Sequence, residues 1–182
     1  MIHEFQPMAP LLPESTKGRA SIKHWVPDGL SLLHAGINGF HLKEGHQYCQ
    51  LWINGELWMS DTRDEMRANA DVTRARGTVL IVGLGLGMVL RRVLQNLTVS
   101  AVDVIENNRD VERLVWPRVG KTDTRARLIH ADAHDWQAER KYDFIWLDIW
   151  LNTPEPSEVK DLCKRYRRFL RRGGFIGAWE GN

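Results

Sequence analysis

The stretch TVLIVGLGLGMVLRRVL, residues 78–94, constrains the fold more than any other part of the chain. A run of aliphatic and β-branched residues leads into three glycines spaced two apart, and a helical pattern begins at once. A backbone that must pass close under a ligand cannot carry Cβ atoms at the contact points. Glycines between a buried strand and a helix N-terminus therefore indicate a nucleotide-type ligand.

Strands and helices alternate after this loop. The pattern predicts strands at 78–82, 99–105, 126–131, 142–148 and 174–179, and helices at 86–96, 107–116 and 156–171. Such alternation is typical of a parallel sheet with helices on both faces. We therefore predict an α/β fold with a Rossmann-like, mostly parallel sheet and flanking helices, truncated after its fifth strand.

The first third of the chain has a different character and predicts a small N-terminal antiparallel β subdomain. Asn54-Gly55 lies between two β-like runs and is a strong signal for a hairpin with a type I′ turn. Further β-like pieces are predicted at 30–36 and 39–45, and a helix capped by Asp61 follows the hairpin. The predicted divisions are an N-terminal arm at 1–20, a β-hairpin subdomain at 21–60 and a Rossmann-like nucleoside-binding domain at 61–182. Four apolar residues are candidates to anchor the arm to the protein surface: Phe5, Met8, Leu11 and Leu12.

The glycine loop discriminates between nucleotides. A dinucleotide fingerprint has its third glycine where Met88 stands, and no Gly-Lys-Ser/Thr of a P-loop follows. The loop therefore suits a ligand without a pyrophosphate, and it supplies four candidate binding residues: Gly83, Leu84, Gly85 and Gly87.

Carboxylates follow three of the predicted strands. Glu106, followed by Asn107, ends the second strand, where two carboxylate oxygens match a ribose diol. Asp132 and the Ala133 N–H are predicted to contact an adenine ring. Asp148 ends the fourth strand, and Trp150 is a candidate wall of the same crevice. Three carboxylates without a basic cradle favour a cationic ligand.

Two other patterns are weighed against simpler interpretations. His130 and His134 flank Asp132, but one ends a strand and the other lies in a loop, so no metal site is predicted. The last helix has a basic face, for which a solvated surface is favoured over contact with nucleic acid.

The bulk composition excludes some classes of protein. The formal net charge of +2, with 26% charged residues, argues against a highly basic nucleic-acid binder. The two cysteines, Cys49 and Cys163, form no CxxC pair and suit a reducing compartment. No signal peptide or membrane span is recognised, so we expect a cytoplasmic protein without membrane contact.

Four segments together resemble a known family. They are VLIVGLGLGMVLRRVLQNLTVSAVDVIENNRDVERL, HADAHDW, YDFIWLDIWLNTPEP and LWINGELWMSDTRDE, and they cover roughly residues 50–179. Their order and spacing resemble the class I S-adenosylmethionine-dependent methyltransferase fold, in particular its spermidine synthase-like branch. The resemblance implies S-adenosylmethionine as cofactor, held by the residues named above, with Asp148 as the catalytic candidate.

Departures from that branch bear on the reaction. Leu86 stands where the synthases carry a loop aspartate for the aminopropyl amine, and Ala68-Asn69-Ala70 and Leu151-Asn152 replace further polar residues of their site. We therefore expect a methyltransferase that binds the intact cofactor. The alternatives are an aminopropyltransferase that uses decarboxylated S-adenosylmethionine and a non-catalytic module that binds an adenosyl ligand.

Two partners are expected besides the cofactor. The acceptor is expected to be a small molecule, which the sequence does not identify. The fifth strand, GFIGAWE, presents an apolar sheet edge, and proteins usually cover or pair such an edge. We therefore expect a homodimer.

Overall fold

The protein was analysed as a computed structural model, which describes residues 7–179. Phe5 and residues 180–182, which the predictions include, lie outside this range. The elements, in chain order, are β1 Ser15–Lys17, β2 Ala20–Trp25, α1 Gly29–Ile37, β3 Tyr48–Ile53, β4 Glu56–Ser60, α2 Arg63–Ala68, a 3-10 helix Ala70–Arg74, β5 Gly77–Val82, α3 Met88–Leu94, β6 Val99–Glu106, α4 Arg109–Val119, β7 Ala126–His130, β8 Tyr142–Leu147, α5 Pro156–Arg167 and β9 Leu170–Ala178.

The second part of the chain forms a parallel sheet in the order β7-β6-β5-β8-β9. The chain moves outward from β5 through β6 to β7 and then crosses to β8 on the other side. This reversal opens a crevice at the carboxyl ends of β5 and β8. The structure confirms the predicted α/β fold class and places the ends of the glycine-loop strand and the Asp148 strand side by side.

The first part of the chain forms a separate antiparallel sheet in the order β1-β2-β3-β4. The predicted hairpin is confirmed, because Asn54 and Gly55 join β3 to β4 with φ values of 54° and 83°. The pairing is irregular beyond the turn: Leu51 faces Met59 and Trp52 faces Leu57. Trp58 is thus an extra residue in β4, a β-bulge.

The N-terminal prediction was wrong in three places. Residues 39–45, expected as a β-like piece, form no strand and lie in the irregular segment between α1 and β3. Residues 30–36, expected as a β-like piece, lie in α1, because the Asp28 side chain accepts a hydrogen bond from the Ser31 N–H and caps a helix. The expected arm contains β1, and its Met8 and Leu12 are fully buried. The antiparallel sheet therefore begins before residue 21, while the proposed domain divisions stay predictions.

Asp61 does not cap α2, as was expected, since Thr62 does so. Its carboxylate is fully buried and accepts hydrogen bonds from the Met8 N–H at 2.5 Å and the Cys49 N–H at 2.6 Å. Burial raises the pKa of Asp61 to about 6. This carboxylate ties the start of the described chain to the hairpin.

A second buried carboxylate cross-links the parallel sheet. Asp103 on β6 is fully buried and accepts hydrogen bonds from Arg127, Arg140 and Tyr142. Burial opposes ionisation, but these hydrogen bonds together lower the pKa of Asp103. The cluster is a structural network, away from the crevice.

The end of the chain differs from the predicted boundaries. The last helix ends at Arg167 rather than 171, because Leu170 already pairs with Tyr142 on β8. On the sheet edge, Phe175 is covered by the Arg74 guanidinium, 3.8 Å from its ring centre. Within residues 7–179, none of the helices combines the length and apolarity needed to cross a membrane.

Candidate functional site

A cavity of about 440 Å³ lies at the carboxyl ends of β5, β6 and β8, under the β3–β4 hairpin. Its walls include most of the predicted cofactor-binding residues: Gly83, Gly85, Glu106, Asn107, Asp132, Ala133, Asp148 and Trp150. Leu84 and Gly87 are not among its lining residues. The volume falls in the range of ordinary ligand pockets.

The glycine loop approaches neighbouring backbone and side chains too closely for any larger residue. Gly83, with φ 102°, would place a Cβ atom 1.9 Å from the Asp148 carbonyl oxygen. Gly85, with φ 49°, would place one 2.6 Å from the sulfur of Met59. Both glycines are therefore required by the packing of the protein itself at the cavity floor.

The two loop residues outside the cavity shape the loop. The Leu84 N–H donates a hydrogen bond to Glu106 Oε2 at 3.0 Å, and its side chain is buried in the core. Gly87 precedes α3 with φ 76°, and a Cβ atom there would lie 3.1 Å from Val115 and Val119. These two residues position the loop rather than face a ligand.

Glu106 is held rigidly at the rim of the cavity. Besides the bond from Leu84, its Oε1 accepts a hydrogen bond from the Asn108 N–H at 2.8 Å. Burial raises the pKa of Glu106, while these backbone hydrogen bonds oppose the shift. Each carboxylate oxygen keeps a further lone pair for a hydroxyl group. The geometry suits recognition of two adjacent hydroxyls.

The segment after β7 forms another wall. Asp132 is exposed, and its Oδ1 accepts a hydrogen bond from the His134 N–H at 2.7 Å. The Tyr166 hydroxyl donates to the Ala133 carbonyl at 2.8 Å from below. This anchoring fixes the backbone of Ala133 against the cavity.

Asp148 lies at the opposite side of the glycine loop. Its N–H donates to the Val82 carbonyl at 2.8 Å, which continues the β5–β8 ladder. Burial raises the pKa of its carboxyl group to about 7. A carboxylate with this pKa can accept or hold a proton near neutral pH. The half-buried Trp150 lines the cavity two residues later.

The hairpin supplies walls that the sequence alone did not identify. Trp58 and Met59 both line the cavity although successive residues of a regular strand face opposite sides. The bulge at Trp58 explains this, and no sequence signal for it was recognised. Met59 also accepts a hydrogen bond from the Leu86 N–H through its sulfur, at 3.3 Å.

Two further lining residues were missed. Glu65 on α2 lines the cavity and accepts a hydrogen bond from Asn69 at 3.1 Å. Trp179 also lines the cavity, and its buried indole N–H has no acceptor among the described residues. The Asp-Glu pair after the hairpin was the available signal for Glu65.

The charge of the cavity is one-sided. Among the residues that the structure describes, its lining contains the carboxylates of Glu65, Glu106, Asp132 and Asp148 and no Lys or Arg. A phosphate would meet repulsion at such a surface, whereas a cation would be stabilised. The residues fit a ligand that carries positive charge.

The two histidines near Asp132 do not meet at a metal site. His130 Nδ1 lies 2.5 Å from Glu112 Oε1, outside the cavity, and His134 is exposed. Across residues 7–179, no group of three or more His, Cys, Asp or Glu side chains is placed to hold a metal ion.

The second part of the chain is similar to a known protein family. Residues 79–174, more than half of the chain, match the methyltransferase domain family. The chain belongs to this family. The matched range of the methyltransferase domain runs from β5 into β9 and contains the glycine loop, Glu106, Asp132 and Asp148.

Individual proteins are similar to this chain in sequence or in fold. Polyamine aminopropyltransferase 1 of Streptomyces coelicolor is 29% identical over 137 residues, covering 67% of this chain and 25% of its own length. Spermidine synthase of Thermotoga maritima is 16% identical with a TM-score of 0.58, covering 91% of this chain and 55% of that one. The N-methyltransferase NodS of Bradyrhizobium japonicum, solved with S-adenosyl-L-homocysteine, is 13% identical with a TM-score of 0.51, covering 62% and 59%.

These solved structures share the fold of the methyltransferase domain. The chain spans a quarter of the curated relative it matches and between half and two thirds of the two solved relatives. The coverage of 91% by the spermidine synthase extends beyond residues 79–174, which match the methyltransferase domain.

Glu106→Ala in this domain is expected to weaken binding of S-adenosylhomocysteine roughly ten- to a hundred-fold, because charge-assisted hydrogen bonds of about 1.5–3 kcal/mol are lost. Isothermal titration calorimetry measures the change. Glu139→Ala is the control, since the Glu139 side chain is 85% exposed and lies outside the cavity, so its loss should leave affinity nearly unchanged. Equal affinities of Glu106→Ala and the unmutated protein would exclude Glu106 as a ribose ligand.

Proposed function

We propose that this chain is an S-adenosylmethionine-dependent methyltransferase. The observation that carries the proposal is a glycine-floored cavity whose lining, within residues 7–179, has four carboxylates and no Lys or Arg. S-adenosylmethionine is a sulfonium cation with a ribose diol and no phosphate, so its chemistry complements such a cavity. Family membership and the fold shared with NodS support the same assignment.

Each part of the cofactor has a candidate partner. Glu106 and Asn107 would hold the ribose, and Asp132 with the Ala133 N–H would hold the adenine. Gly83 and Gly85 would accommodate the amino acid end, with Leu84 and Gly87 fixing the loop. Trp150 and Asp148 would face the reacting end. These assignments rest on the position of each residue around one cavity.

The chemistry demanded of the protein is modest. The bound cofactor supplies an already activated methyl group, so the chain has to align the acceptor and receive its proton. Asp148 is the candidate proton acceptor, because burial raises its pKa to about 7. Trp58, Trp150 and Trp179 contribute to the largely apolar wall that faces it.

Aminopropyl transfer is the second candidate. It is favoured by the 91% coverage by spermidine synthase and by the aminopropyltransferase relative. Leu86 does not weigh against aminopropyl transfer, although this was expected from the sequence. Its side chain is fully buried in the core and does not face the cavity. Leu86→Asp would bury a charge in the core rather than switch the ligand, so it is unsuited as a specificity test.

A product assay separates the candidates. The protein is incubated with S-adenosylmethionine or its decarboxylated form and a panel of small acceptors. S-adenosylhomocysteine indicates methyl transfer, and methylthioadenosine indicates aminopropyl transfer. Binding without either product over a broad panel would favour the third candidate, a non-catalytic module.

We expect the intact cofactor to bind at least several-fold more tightly than the decarboxylated one. Its carboxylate can take N–H donors from the glycine loop, such as the Leu86 N–H, which now contacts only the weak acceptor Met59 sulfur. Competition against labelled S-adenosylhomocysteine gives both affinities. A clear preference for the decarboxylated compound would overturn methyl transfer and favour the second candidate.

The setting of the activity is part of the same proposal. A cytoplasmic location is supported by a buried Cys49 and a half-buried Cys163 that form no disulfide. A small-molecule acceptor is supported by the size of the cavity. Self-association as a homodimer is also part of the proposal, whereas binding of nucleic acid by the basic face of α5 is less favoured.

A further inference from the structure

Helix α1 and its flanks expose a row of large apolar side chains. The exposed fractions are 62% for Leu30, 60% for Leu33 and 72% for Ile37, with 51% for Val26 and 60% for Phe40 at either end. Isolated exposed leucines are common, but five large, exposed apolar side chains between residues 26 and 40 are not. The row marks a surface that another molecule covers.

The helix lacks the features of a solvated element. Residues 29–40 contain no Asp, Glu, Lys or Arg, although such residues make up 26% of the chain. Of the nine residues of α1 only Ala35 is buried, and two are glycines. Helices this short depend on tertiary packing for stability, and one buried alanine contributes little. The helix therefore needs a packing partner beyond its own fold.

The spacing of the row specifies the kind of partner. Within α1, Leu30, Leu33 and Ile37 are spaced three and four residues apart, which is the repeat of a helix–helix seam, while Val26 precedes the helix and Phe40 follows it. The row is also nearly symmetric about Leu33, so a two-fold axis beside Leu33 would pair Leu30 with Ile37 and Val26 with Phe40 of the other copy. An antiparallel arrangement also aligns the two helix dipoles favourably.

We propose that this row, Val26, Leu30, Leu33, Ile37 and Phe40, is a self-association surface that packs α1 against α1 of a second copy of the chain. The five side chains present on the order of 500 Å² of apolar surface, so two copies bury on the order of 1,000 Å². That area is at the lower limit for specific complexes. The dimer is accordingly weak, with a dissociation constant in the micromolar range.

Other surfaces and occupants fit less well. The β9 edge carries the exposed Arg171 and Arg172, and Arg74 covers Phe175, both of which protect an edge against pairing. A lipid surface would select basic residues on the polar side of the helix, and α1 has no Lys or Arg. The apolar, uncharged row matches a copy of itself.

The surface also adjoins the cavity. Next to Phe40, the His41 N–H and ring bond to Asp64 at 2.7 and 2.9 Å, and Asp64 precedes the cavity residue Glu65 on α2. Packing of α1 would therefore hold the α2 wall. The proposal concerns assembly and stands whether or not the chain transfers a methyl group.

Sedimentation velocity from 1 to 200 µM tests the proposal. The unmutated protein should pass from monomer to dimer in this range, whereas Leu33→Asp should stay monomeric because two carboxylates would meet on the axis. Leu97→Asp is the matched control: Leu97 is 93% exposed and lies far from α1 in sequence, so the variant should dimerise normally. Far-UV circular dichroism checks that both variants fold.

A cross-linking experiment tests whether Leu33 lies on the two-fold axis. In a Cys163→Ser background, Leu33→Cys should give a covalent dimer with a short bismaleimide, and Leu97→Cys should not. The proposal is overturned if the unmutated protein is monomeric at 200 µM, or if Leu33→Asp dimerises as well as Leu97→Asp. Binding of the monomer to neutral phosphatidylcholine vesicles, without dimer, would identify a membrane as the occupant instead.

Discussion

Gly83→Ala is expected to destabilise the protein by about 3 kcal/mol and to abolish measurable binding of an adenosyl ligand. The new Cβ would lie 1.9 Å from the Asp148 carbonyl oxygen, a backbone atom that cannot rotate away. The left-handed conformation adds about 1–2 kcal/mol for a residue with a Cβ, and the clash adds about 1–3 kcal/mol. Urea unfolding and calorimetry with S-adenosylhomocysteine measure the two effects.

Gly173→Ala separates strain from collision. Gly173 has φ 78°, and a Cβ atom there would meet nothing within 4 Å. This control should therefore lose only about 1–2 kcal/mol and bind normally. Similar losses in both variants would show that the contact between Gly83 and Asp148 is unimportant.

Asp148→Asn is expected to lower kcat by about a hundred- to ten-thousand-fold, because an amide cannot accept the acceptor's proton. Cofactor affinity should change much less than kcat. The comparison variant is Asp161→Asn, an exposed carboxylate on α5, which should retain full activity. Near-normal turnover by Asp148→Asn under single-turnover conditions would remove Asp148 from the chemistry.

The same substitution, Asp148→Asn, is expected to stabilise the folded protein although it lowers kcat. The pKa of Asp148 is raised from 3.8 to about 7 in the folded protein, so between these values the native state binds more protons than the unfolded state. Stability is then lost as pH rises from 4 to 7, by a few kcal/mol at most. Asp61, with a pKa of about 6, adds to this loss.

Asp148→Asn should therefore be more stable than the unmutated protein at pH 8, with a smaller decline in Tm between pH 4 and pH 8. The Asp61 contribution remains in both proteins and so cancels in the comparison. Identical pH profiles of Tm would show that Asp148 ionises freely in the folded state.

The parallel sheet was predictable because its signals are local. The strands are five to nine residues long and contain apolar side chains, and the glycine loop between β5 and α3 follows a β-branched, aliphatic run. The end of α5 was misplaced because Phe169 and Leu170 continue the helical repeat, whereas pairing of Leu170 with Tyr142 is a long-range contact. Competition of this kind cannot be judged from local sequence.

The site was predictable in part for a related reason. Glu106, Asp132 and Asp148 follow strands whose carboxyl ends meet at one edge, so their convergence follows from topology. The approach of Trp58 and Met59 depends on a bulge and on how one sheet lies over the other. Leu86 was misjudged because a position in a loop does not reveal which way its side chain points.

The bulge in β4 affects only one of the two groups of residues that line the cavity. The candidate cofactor partners come from the parallel sheet, whereas Trp58 and Met59 come from the antiparallel sheet and owe their common direction to one extra residue. A one-residue change in strand pairing exchanges the side chains that face a surface. Inserting or deleting one residue in β4 would therefore change which of its side chains line the cavity. The candidate cofactor-binding residues of the parallel sheet would keep their positions. Such a hairpin is a natural place for acceptor preference to diverge among descendants of one ancestral domain.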